Sequence, residues 1–481
     1  MPNTENRAAI EHAWDRAKLR RLGRAFSDWA ADELTHSGRG PVRPPDFHAR
    51  ARALTRVKGG AASTPAWLRQ LGAAGMHINH PAFMAQQVAA PIPLAAMIES
   101  AVATLNQSIA VWEMSPAAML IDRQVLDRCK KLFGYPASAE GSLTPGGSFA
   151  NLTAMLAARA ALAPKAWQSG APNRIAILAG AQTHYSIARA AGIMGMGAQC
   201  VFAIPTDAAH RTDTGAIPEA ARRARRAGYR RFILVATCGS TPTGSLDDLE
   251  GFANAARGLD AWFHIDAAHG GGLMFSPRLR RRLRGIAAAD SIAFDPHKMM
   301  FMPLAAGAVL VRHGSQLTGA FEQHAPYLFH PPSEAPRAVA DVGPFTLACS
   351  QRFDALKIWM VWNAYGPGLF AALADATCAT ARAAFDYCRR SKLLAPLHQP
   401  DSNILCFGLR QPVANADHTH WVIKEAVNAT GRAYISSTVL EGRRCFRVVI
   451  MNPRSTEEHV KRVLGTVERE ARRALGGERK K

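Results

Sequence analysis

The 481-residue chain has no run of apolar residues long enough to cross a membrane. Its longest apolar stretch, around 301–311, reaches about half of the roughly 20 residues that a membrane-spanning helix needs. The first residues, 1–7, lack the basic and then apolar order of a secretory signal peptide. We therefore expect a protein of the cytoplasm with no membrane segment.

Cysteine is also sparse, and its spacing gives no sign of a cysteine-based site. The eight cysteines are scattered along the chain, and no two of them form a CxxC pair. Redox motifs and structural zinc sites commonly contain such pairs. The spacing therefore predicts reduced thiols in a reducing compartment.

Acidic residues are few relative to basic ones, since 37 Asp and Glu stand against 58 Lys and Arg, which gives a net charge of +21. Arginines concentrate within 222–231 and within 278–284. Such clusters can bind nucleic acid by counterion release, but these two lack interleaved aromatic residues and any recognised nucleic-acid motif. A solvated basic surface that attracts anionic substrate or phosphate is the simpler explanation, so we expect no nucleic-acid partner.

The chain is long and apolar enough, at 48% hydrophobic residues, to bury a sizeable core in two or three domains. Short β-rich runs alternate with helical segments between about 100 and 365, which favours a mostly parallel sheet covered on both faces. A smaller C-terminal domain is expected from strands near 403–409 and 445–451. The β-rich runs are 174–178, 199–204, 231–237, 261–266, 291–294 and 307–312, and the helical segments include 150–163, 187–194, 218–227 and 247–257.

The stretch 291–300 places one lysine where a lysine has no structural reason to be. Lys298 follows a strand-like run and precedes the largely apolar residues 299–304. Apolar surroundings desolvate a lysine and favour its neutral amine. A neutral amine that condenses with an aldehyde is the nucleophile of Schiff-base enzymes. The alternative is a lysine that snorkels from a strand end to the surface.

A second motif, 261–272, places Asp266 near the carboxyl end of a mostly buried strand that runs into three glycines. Open α/β sheets bind their ligands at that end of the strands. A buried carboxylate needs a cationic partner, and the pyridinium nitrogen of pyridoxal phosphate (PLP) is such a partner in sites that also contain a Schiff-base lysine. The competing interpretation takes His264, Asp266 and His269 as metal ligands, but it leaves Lys298 unexplained.

A third motif, 144–148, is a Gly-Gly turn that leads directly into an apolar helix. Glycine lets the backbone approach an anion, and a helix N-terminus offers free N–H groups and a favourable dipole. Gly147 and Ser148 are therefore the first candidates for ligands of a phosphate group.

Together these segments resemble the group II PLP-dependent decarboxylases, the family of glutamate, aromatic-amino-acid and diaminobutyrate decarboxylases. "HIDAAHGGG" and "FDPHKMM" match the cofactor aspartate and lysine motifs of that family. Four further blocks fall in family order, namely "NQSIAVWEMSPA", "GSLTPGGSFANLTAMLAAR", "THYSIARAAG" and "CSQRFDALKIWMVW". The resemblance is strong over about 70–365 and weaker beyond it. Six motifs in the same order as in the family are strong evidence for the cofactor and the fold, but they say much less about the substrate.

The resemblance implies an α/β structure of the PLP-dependent transferase fold type I, with a seven-stranded, mostly parallel sheet, helices on both faces and a small C-terminal α/β domain. It also implies a homodimer with the active site at the subunit interface. The expected division is an N-terminal helical segment that wraps around the partner (1–100), a PLP-binding domain (101–365) and a small domain (366–481).

The same resemblance assigns roles to individual residues. Lys298 would carry the cofactor, Asp266 would hold the pyridinium nitrogen and His184 would stack on the cofactor ring. Thr241 and Ala268 would border the cofactor, and His297 would contact its phosphate. The residues expected to bind the substrate are Gln86, Trp112 and Arg447.

One position departs from the family pattern. Several members carry, on a mobile loop, a tyrosine that delivers a proton to Cα, and Val342 falls at about that position. Tyr327, His330 or His184 would then donate the proton, or the carbanion would be partly diverted to oxygen, as in related aldehyde synthases. The predicted reaction is therefore decarboxylation of an L-amino acid, acidic or small aliphatic first and diamino next, with oxidative decarboxylation or other chemistry on the same fold as the alternative.

Overall fold

The computed structural model describes residues 11–36, 38–56, 65–170, 174–321, 341–413 and 415–478. The strands in this part of the chain are β1 (Phe83–Met84), β2 (Glu140–Thr144), β3 (Ile175–Gly180), β4 (Val201–Ile204), β5 (Arg231–Thr237), β6 (Trp262–Ala267), β7 (Ser291–Phe294), β8 (Gly307–Val311), β9 (Leu394–Pro396), β10 (Ile404–Leu409), β11 (Tyr434–Leu440) and β12 (Arg443–Val449). The α-helices are Arg16–Thr35, Phe47–Leu54, Pro65–Ala74, Pro93–Leu105, Pro116–Phe133, Gly147–Leu162, Ala166–Ser169, Ser186–Ile193, Ile217–Arg226, Leu249–Leu259, Gly314–Thr318, Ala355–Tyr365, Pro367–Arg390, Ala416–Ala429 and Glu457–Glu478.

Seven strands form the central sheet, in the order β2-β8-β7-β6-β5-β3-β4. β8 is antiparallel to both of its neighbours, and the remaining pairs are parallel. The predicted seven-stranded, mostly parallel sheet is therefore confirmed. Six strands lie within two residues of the predicted runs, whereas the edge strand β2 has no counterpart among them.

Both faces of this sheet are buried. Along β5, Phe232 and Leu234 belong to one hydrophobic cluster, and Ile233 and Val235 belong to another on the opposite face. This alternation is the two-residue period of a strand whose successive side chains point to opposite faces. Helix Gly147–Leu162 covers the face of Ile233, and it packs closely on β7 and β8.

A second sheet has the strand order β1-β11-β12-β10-β9. Its first strand comes from far upstream, since Phe83 pairs with Tyr434 in parallel register. The core beside this sheet includes residues of the helices Pro367–Arg390, Ala416–Ala429 and Glu457–Glu478. Residues near position 83 thus pair with the C-terminal sheet, and the three-part division of the chain stays a prediction.

Among the described helices, none combines the length and the apolar character that a bilayer span requires. The parallel strands β5, β6 and β7 all end at the same edge of the central sheet. In open α/β sheets, ligands bind beyond that edge.

Candidate active site

A cavity of about 480 Å³ opens at the carboxyl ends of β5, β6 and β7. It is lined by residues that end or follow these strands and by the turn that precedes the helix Gly147–Leu162. All eight residues predicted to contact the cofactor lie in its wall, although their roles stay predictions. They are Gly147, Ser148, His184, Thr241, Asp266, Ala268, His297 and Lys298.

Lys298 lies in the cavity wall shortly after the end of β7. Its Nζ is 3.1 Å from Oδ2 of Asp295, and its side chain is 21% exposed. Its chain neighbours Met299 and Met300 are buried. The apolar surroundings expected from the sequence therefore apply to the neighbouring residues but not to the amine, which has a carboxylate partner. This ion pair holds the amine at the cavity surface.

Asp266 is buried at the end of β6, and both of its oxygens accept hydrogen bonds. Oδ1 accepts from the backbone N–H of Ala268 at 3.1 Å, and Oδ2 accepts from Nδ2 of Asn151 at 2.9 Å. Each carboxylate oxygen keeps a second lone pair for another donor. The side chain is thus oriented, and it can still accept a hydrogen bond from a protonated ring nitrogen.

A relay of hydrogen bonds continues from Asn151 into the core. Because Nδ2 of Asn151 donates to a carboxylate, its Oδ1 must accept, and it lies 3.0 Å from Nε2 of His264. Nδ1 of His264 then accepts from the Ser291 hydroxyl at 2.9 Å, and that hydroxyl in turn accepts from Nε1–H of Trp262 at 2.9 Å. Every hydrogen bond in this relay has a fixed direction, so the relay specifies one orientation for the Asp266 side chain.

The two histidines of the alternative metal site have other partners. Burial lowers the pKa of His264 to about 4 and that of His269 to about 3, so both rings are neutral near pH 7. Both nitrogens of His264 belong to the relay, and Nε2 of His269 lies 2.6 Å from Oδ1 of Asn403. Within the described ranges, no cluster of three His, Cys, Asp or Glu side chains has the arrangement of a metal site.

His184 presents a neutral ring to the cavity. Its Nδ1 accepts from the backbone N–H of Ser186 at 3.3 Å and lies 2.8 Å from the Ser186 hydroxyl, which places the ring proton on Nε2. Burial lowers the pKa of His184 below its ordinary value. A neutral imidazole of this kind can stack on an aromatic cofactor ring and still donate from Nε2.

The Gly146–Gly147 turn is shaped so that only glycine fits. Gly146 has a φ of +141°, and a Cβ on Gly147 would lie 2.8 Å from Oδ2 of Asp295 and 2.9 Å from Cβ of Ala268. The turn opens a helix of 16 residues whose first N–H groups lack helical partners. Backbone of this kind can approach an anion closely. His297 closes the same side, with its Nδ1 2.6 Å from the carbonyl oxygen of Ala306.

The three residues predicted to bind substrate do not line this cavity. Arg447 is buried, and its guanidinium donates to the carbonyl oxygens of Thr241, Pro242 and Ala85 at 2.7 to 3.2 Å. These bonds tie β12 to the loop that carries Thr241, so Arg447 positions the backbone in this structure. Gln86 is exposed outside the cavity, and Trp112 lies on a 3₁₀ turn whose backbone N–H donates to Asp341.

The predicted proton-donor region is only partly described. Tyr327 and His330 lie outside the described residues. Val342 is buried among hydrophobic side chains, and its backbone N–H donates to the carbonyl oxygen of Ala110 at 3.0 Å. Its side chain lines a different cavity, beside Asp122 and Lys130. No group at position 342 therefore faces the cavity of Lys298 in the same chain.

The lining also includes residues that were not among the sequence candidates, and Asn151, Arg189 and Asp295 are the ones whose side chains bear on the chemistry of the site. A signal existed for Asn151, because it is a polar residue within an apolar helix, four positions after Gly147. Asp295 stands three residues before Lys298, a spacing that lets the two side chains form an ion pair across one turn. Arg189 has no local signal, since it lies in an ordinary amphipathic helix.

The basic clusters are partly engaged by the protein's own groups. In the first cluster, Arg222 and Arg226 pair with Glu219 at 2.7 and 3.0 Å. In the second, Arg278 pairs with Asp375 at 3.0 Å. These are exposed ion pairs of the kind that surround a solvated basic surface.

Comparison with known proteins connects this geometry to a family. The model of the pyridoxal-dependent decarboxylase conserved domain matches residues 69–410. The L-2,4-diaminobutyrate decarboxylase of Rhizobium meliloti is 34% identical over 82% of this chain and 79% of its own length. The acidic amino acid decarboxylase GADL1 of Xenopus tropicalis is 32% identical over 60% of this chain and 57% of its own length. The structure of Oryza sativa TDC with PLP and tryptamine superposes with a TM-score of 0.85, at 25% identity, and covers 95% of this chain and 98% of that chain.

The cavity fits the cofactor of that family on three observations. A lysine amine stands in the wall, a buried and oriented carboxylate faces the same space, and a turn without Cβ atoms leads into a helix N-terminus. When bound there, PLP supplies an electron sink that stabilises the negative charge left at Cα by the loss of CO₂. The chain therefore belongs to the pyridoxal-dependent decarboxylase family, and its activity is the PLP-dependent decarboxylation of an amino acid.

Proposed function

We propose that the chain converts an acidic L-amino acid to its amine and CO₂, with Lys298 as the residue that carries PLP. The observation that carries this proposal is the convergence of Lys298, Asp266 and the Gly146–Gly147 turn on one cavity. In this assignment Asp266 holds the protonated ring nitrogen, Gly147 and Ser148 hold the phosphate, and His184 covers the ring.

The assignment of Lys298 is tested by reduction of the loaded enzyme with borohydride, followed by peptide mapping. The label should be found on Lys298, and the Lys298→Ala variant should not be labelled. Covalent labelling of another lysine in the wild-type protein would refute the assignment.

The charge of the cavity supports an acidic substrate. Its two carboxylates already face donors, since Asp266 accepts from Asn151 and Asp295 pairs with Lys298. Arg189 stands in the lining with its guanidinium 4.5 Å from the ring centre of Tyr185, and among the described residues it has no carboxylate partner. A free guanidinium binds a carboxylate in a bidentate manner. We infer that Arg189, rather than Arg447, receives the side-chain carboxylate of the substrate.

A substrate panel with one variant tests this inference. Arg189→Gln should raise KM for glutamate, aspartate or cysteine sulfinate by about 10- to 100-fold, the usual cost of a lost charge-assisted bond of about 1.5–3 kcal/mol. Arg443→Gln, which removes an exposed arginine of the C-terminal sheet, is the matched control and should leave KM unchanged. An unchanged KM in the Arg189→Gln variant would contradict the proposed contact.

A diamino acid is the second candidate, and the similarity to a diaminobutyrate decarboxylase favours it. A side-chain ammonium would need a carboxylate in the lining that is free to receive it. Turnover of 2,4-diaminobutyrate above that of every acidic amino acid would establish this candidate. In that case the Arg189→Gln substitution should increase the turnover rather than reduce it.

We further propose a homodimer in which a second copy of the chain covers the cavity mouth. Phe149, Tyr185 and Leu304 line the cavity, yet their exposed fractions are 46%, 59% and 60%. Apolar side chains gathered at the rim of a site are typical of a surface that a partner covers. Sedimentation should give twice the chain mass, and Leu304→Asp should shift the protein toward monomer with loss of activity.

Simple and oxidative decarboxylation differ in whether Cα receives a proton after the loss of CO₂. We propose that a neutral side chain supplies this proton and that the product is the amine. His184 is the candidate among the described residues, and Tyr327 and His330 are the other candidates from the sequence. The ratio of amine to aldehyde under air, with oxygen consumption recorded alongside, tests this proposal. Aldehyde as the main product would place the chain with the oxidative enzymes instead.

The proposed compartment is the cytoplasm. All eight cysteines are free thiols, and seven of them are buried, which suits a reducing environment. Cell fractionation with a tagged chain tests this, and recovery in an oxidising compartment would contradict it.

A further inference from the structure

Two cysteines lie side by side on one face of the C-terminal sheet. Cys406 on β10 pairs directly with Arg447 on β12, and Cys445 stands two residues before Arg447 on the same strand. Residues two apart on a strand point to the same face, so the two cysteines are diagonal neighbours whose side chains are close enough to touch. Together with Leu440 they form a small cluster of buried side chains. The fold thus brings together two thiols that the cysteine spacing in the sequence does not connect.

The two thiols differ in their surroundings. Cys445 lines a surface cavity of about 870 Å³, whereas Cys406 is fully buried and donates its S–H to the carbonyl oxygen of Pro242 at 3.2 Å. When that S–H turns to the sulfur of Cys445, the hydrogen bond lowers the pKa of Cys445 against the opposing effect of burial, and the charges of Arg447 and Arg444 also lower it. Burial raises the pKa of Cys406. Because the thiolate is the nucleophile of thiol chemistry, Cys445 reacts first and Cys406 is its resolving neighbour. The charged side chains that line this cavity are Arg410, Arg443, Arg444, Asp417 and Glu441.

The thiol pair lies against the loop that borders the cavity of Lys298. The carbonyl oxygen of Pro242 accepts from the Cys406 thiol and from Nε of Arg447, the latter at 3.0 Å. Nη2 of Arg447 donates to the carbonyl oxygen of Thr241 at 2.7 Å, and Thr241 lines the cavity. A chemical change at Cys406 therefore acts on the hydrogen bonds that hold this loop to β10 and β12.

We propose that Cys445 and Cys406 are a modification site that a hydroperoxide oxidises to a disulfide, and that this bond weakens PLP binding by loosening the Thr241 loop. In the first step the sulfur of Cys445 attacks one peroxide oxygen and the O–O bond breaks. Cys445 becomes a sulfenic acid, and the other oxygen leaves with the proton that Cys445 has released. In the second step the sulfur of Cys406 attacks the sulfur of Cys445, the S–O bond breaks, and the hydroxyl leaves as water with the proton of Cys406. The two thiols lose two electrons in total, and the hydroperoxide gains them.

The bond changes the loop because it removes a donor and shifts a strand. Once oxidised, the sulfur of Cys406 has no hydrogen to donate to Pro242. Diagonal residues of an antiparallel pair are about 7–8 Å apart, whereas the Cα atoms of a disulfide usually lie about 4.4–6.8 Å apart. The bond therefore draws Cys445, and Arg447 with it, toward β10. Formation of the disulfide is independent of the cofactor assignment, whereas its effect on PLP rests on the cofactor site proposed above.

The test is oxidation of the holoenzyme with hydrogen peroxide, followed by blocking of the remaining thiols with N-ethylmaleimide and by peptide mapping without reduction. The expected product is the peptide pair joined through Cys406 and Cys445, which dithiothreitol should separate. Equilibrium dialysis before and after oxidation should show that the Kd for PLP rises by about 2- to 10-fold, the range for one lost hydrogen bond, and that dithiothreitol restores it. Absence of the peptide pair from oxidised wild type, or an unchanged Kd in the cross-linked protein, would overturn the proposal.

Three variants separate the possible failures. Cys406→Ser keeps a donor for Pro242 but cannot form the bond, so oxidation should leave Cys445 as a sulfenic acid that dimedone labels, with the Kd unchanged. Cys349→Ser removes the exposed cysteine and should keep both the cross-link and the rise in Kd. A rise in Kd that persists in Cys445→Ser would overturn the proposal. Failure of the cofactor assignment would look different, because the cross-link would still form while borohydride labelled a lysine other than Lys298. The cross-link is scored in wild type, so it does not depend on the folding of any variant.

Discussion

Replacing Asn151 with leucine removes the side chain that joins Asp266 to the buried relay behind it. Asn151 donates from Nδ2 to Asp266 at 2.9 Å and to the Ser186 hydroxyl at 2.9 Å, and its Oδ1 accepts from His264 at 3.0 Å. Leucine has a similar volume but none of these hydrogen bonds. Asp266 would keep its backbone bond to Ala268 and lose the bond that fixes its second oxygen.

The expected loss follows from the kind of bond that is removed. A hydrogen bond to a charged, buried group contributes about 1.5–3 kcal/mol, and each 1.4 kcal/mol corresponds to about tenfold in an equilibrium or rate. We therefore expect PLP affinity, or the rate of the step that depends on the protonated ring nitrogen, to fall by about 10- to 100-fold. The unpaired Nε2–H of His264 should also destabilise the fold by about 1–3 kcal/mol.

Asn428 offers a matched control, because it is equally buried and hydrogen-bonds the backbone N–H and carbonyl of Ile435 in the C-terminal sheet. Asn428→Leu should cost similar stability but leave PLP affinity and turnover unchanged. The assay is titration of each apoenzyme with PLP, with kcat/KM and thermal melting measured on the same preparations. A folded Asn151→Leu variant whose PLP affinity and turnover stay within twofold of wild type would refute the proposed role of the relay.

Three further perturbations test the cavity and its surroundings. Gly147→Ala should weaken PLP binding by at least about tenfold, since the new Cβ would meet Asp295 at 2.8 Å, whereas Gly192→Ala, with open space around it, should not change the affinity. Val342→Tyr should lower the melting temperature without changing the ratio of amine to aldehyde, because the position is buried in the core. Burial raises the pKa of Asp122 from 3.8 to about 7, so the folded protein holds a proton that the unfolded chain releases, and stability falls as the pH rises through that range. Asp122→Asn removes this titration, so its gain in thermal stability over wild type should grow from about pH 5 to pH 8, and an equal difference at both pH values would contradict the burial argument.

The central sheet was predictable because its signals are local. Buried parallel strands are apolar along their whole length, so β5 and β6 stand out from the helices around them. β2 does not stand out in this way, because Gly141 interrupts its apolar pattern. That glycine lets β2 approach β8 closely, since a Cβ there would lie 2.6 Å from the carbonyl oxygen of Val309. The glycine that close packing requires at this position thus weakens the sequence pattern from which the strand could have been predicted.

Pairings between distant segments could not be read from the sequence. β1 is a strand of only two residues, and its partner β11 lies about 350 positions downstream. β11 itself contains two serines and a threonine, with several of its residues only partly buried, so neither strand has a strong pattern. Their association depends on the fold as a whole, which is why residues near position 83 join the C-terminal sheet while the expected division of the chain assigns them to the N-terminal segment.

Within the site, predictability follows from how strictly the chemistry constrains each residue. A PLP site needs one amine, one buried carboxylate and one turn that can bind a phosphate. Lys298, Asp266 and Gly147, which the motifs suggested for these parts, lie in the wall of one cavity. A side chain that binds substrate is under no such constraint, because under the acidic-substrate proposal a cation at any of several positions in the cavity wall can bind the substrate's side-chain carboxylate. Arg447 illustrates this freedom, since its guanidinium donates to three backbone carbonyls, whereas Arg189 lines the cavity and has no carboxylate partner among the described residues. Under the acidic-substrate proposal, the substrate preference of this chain should therefore follow the charges that line its cavity rather than the residues at aligned positions.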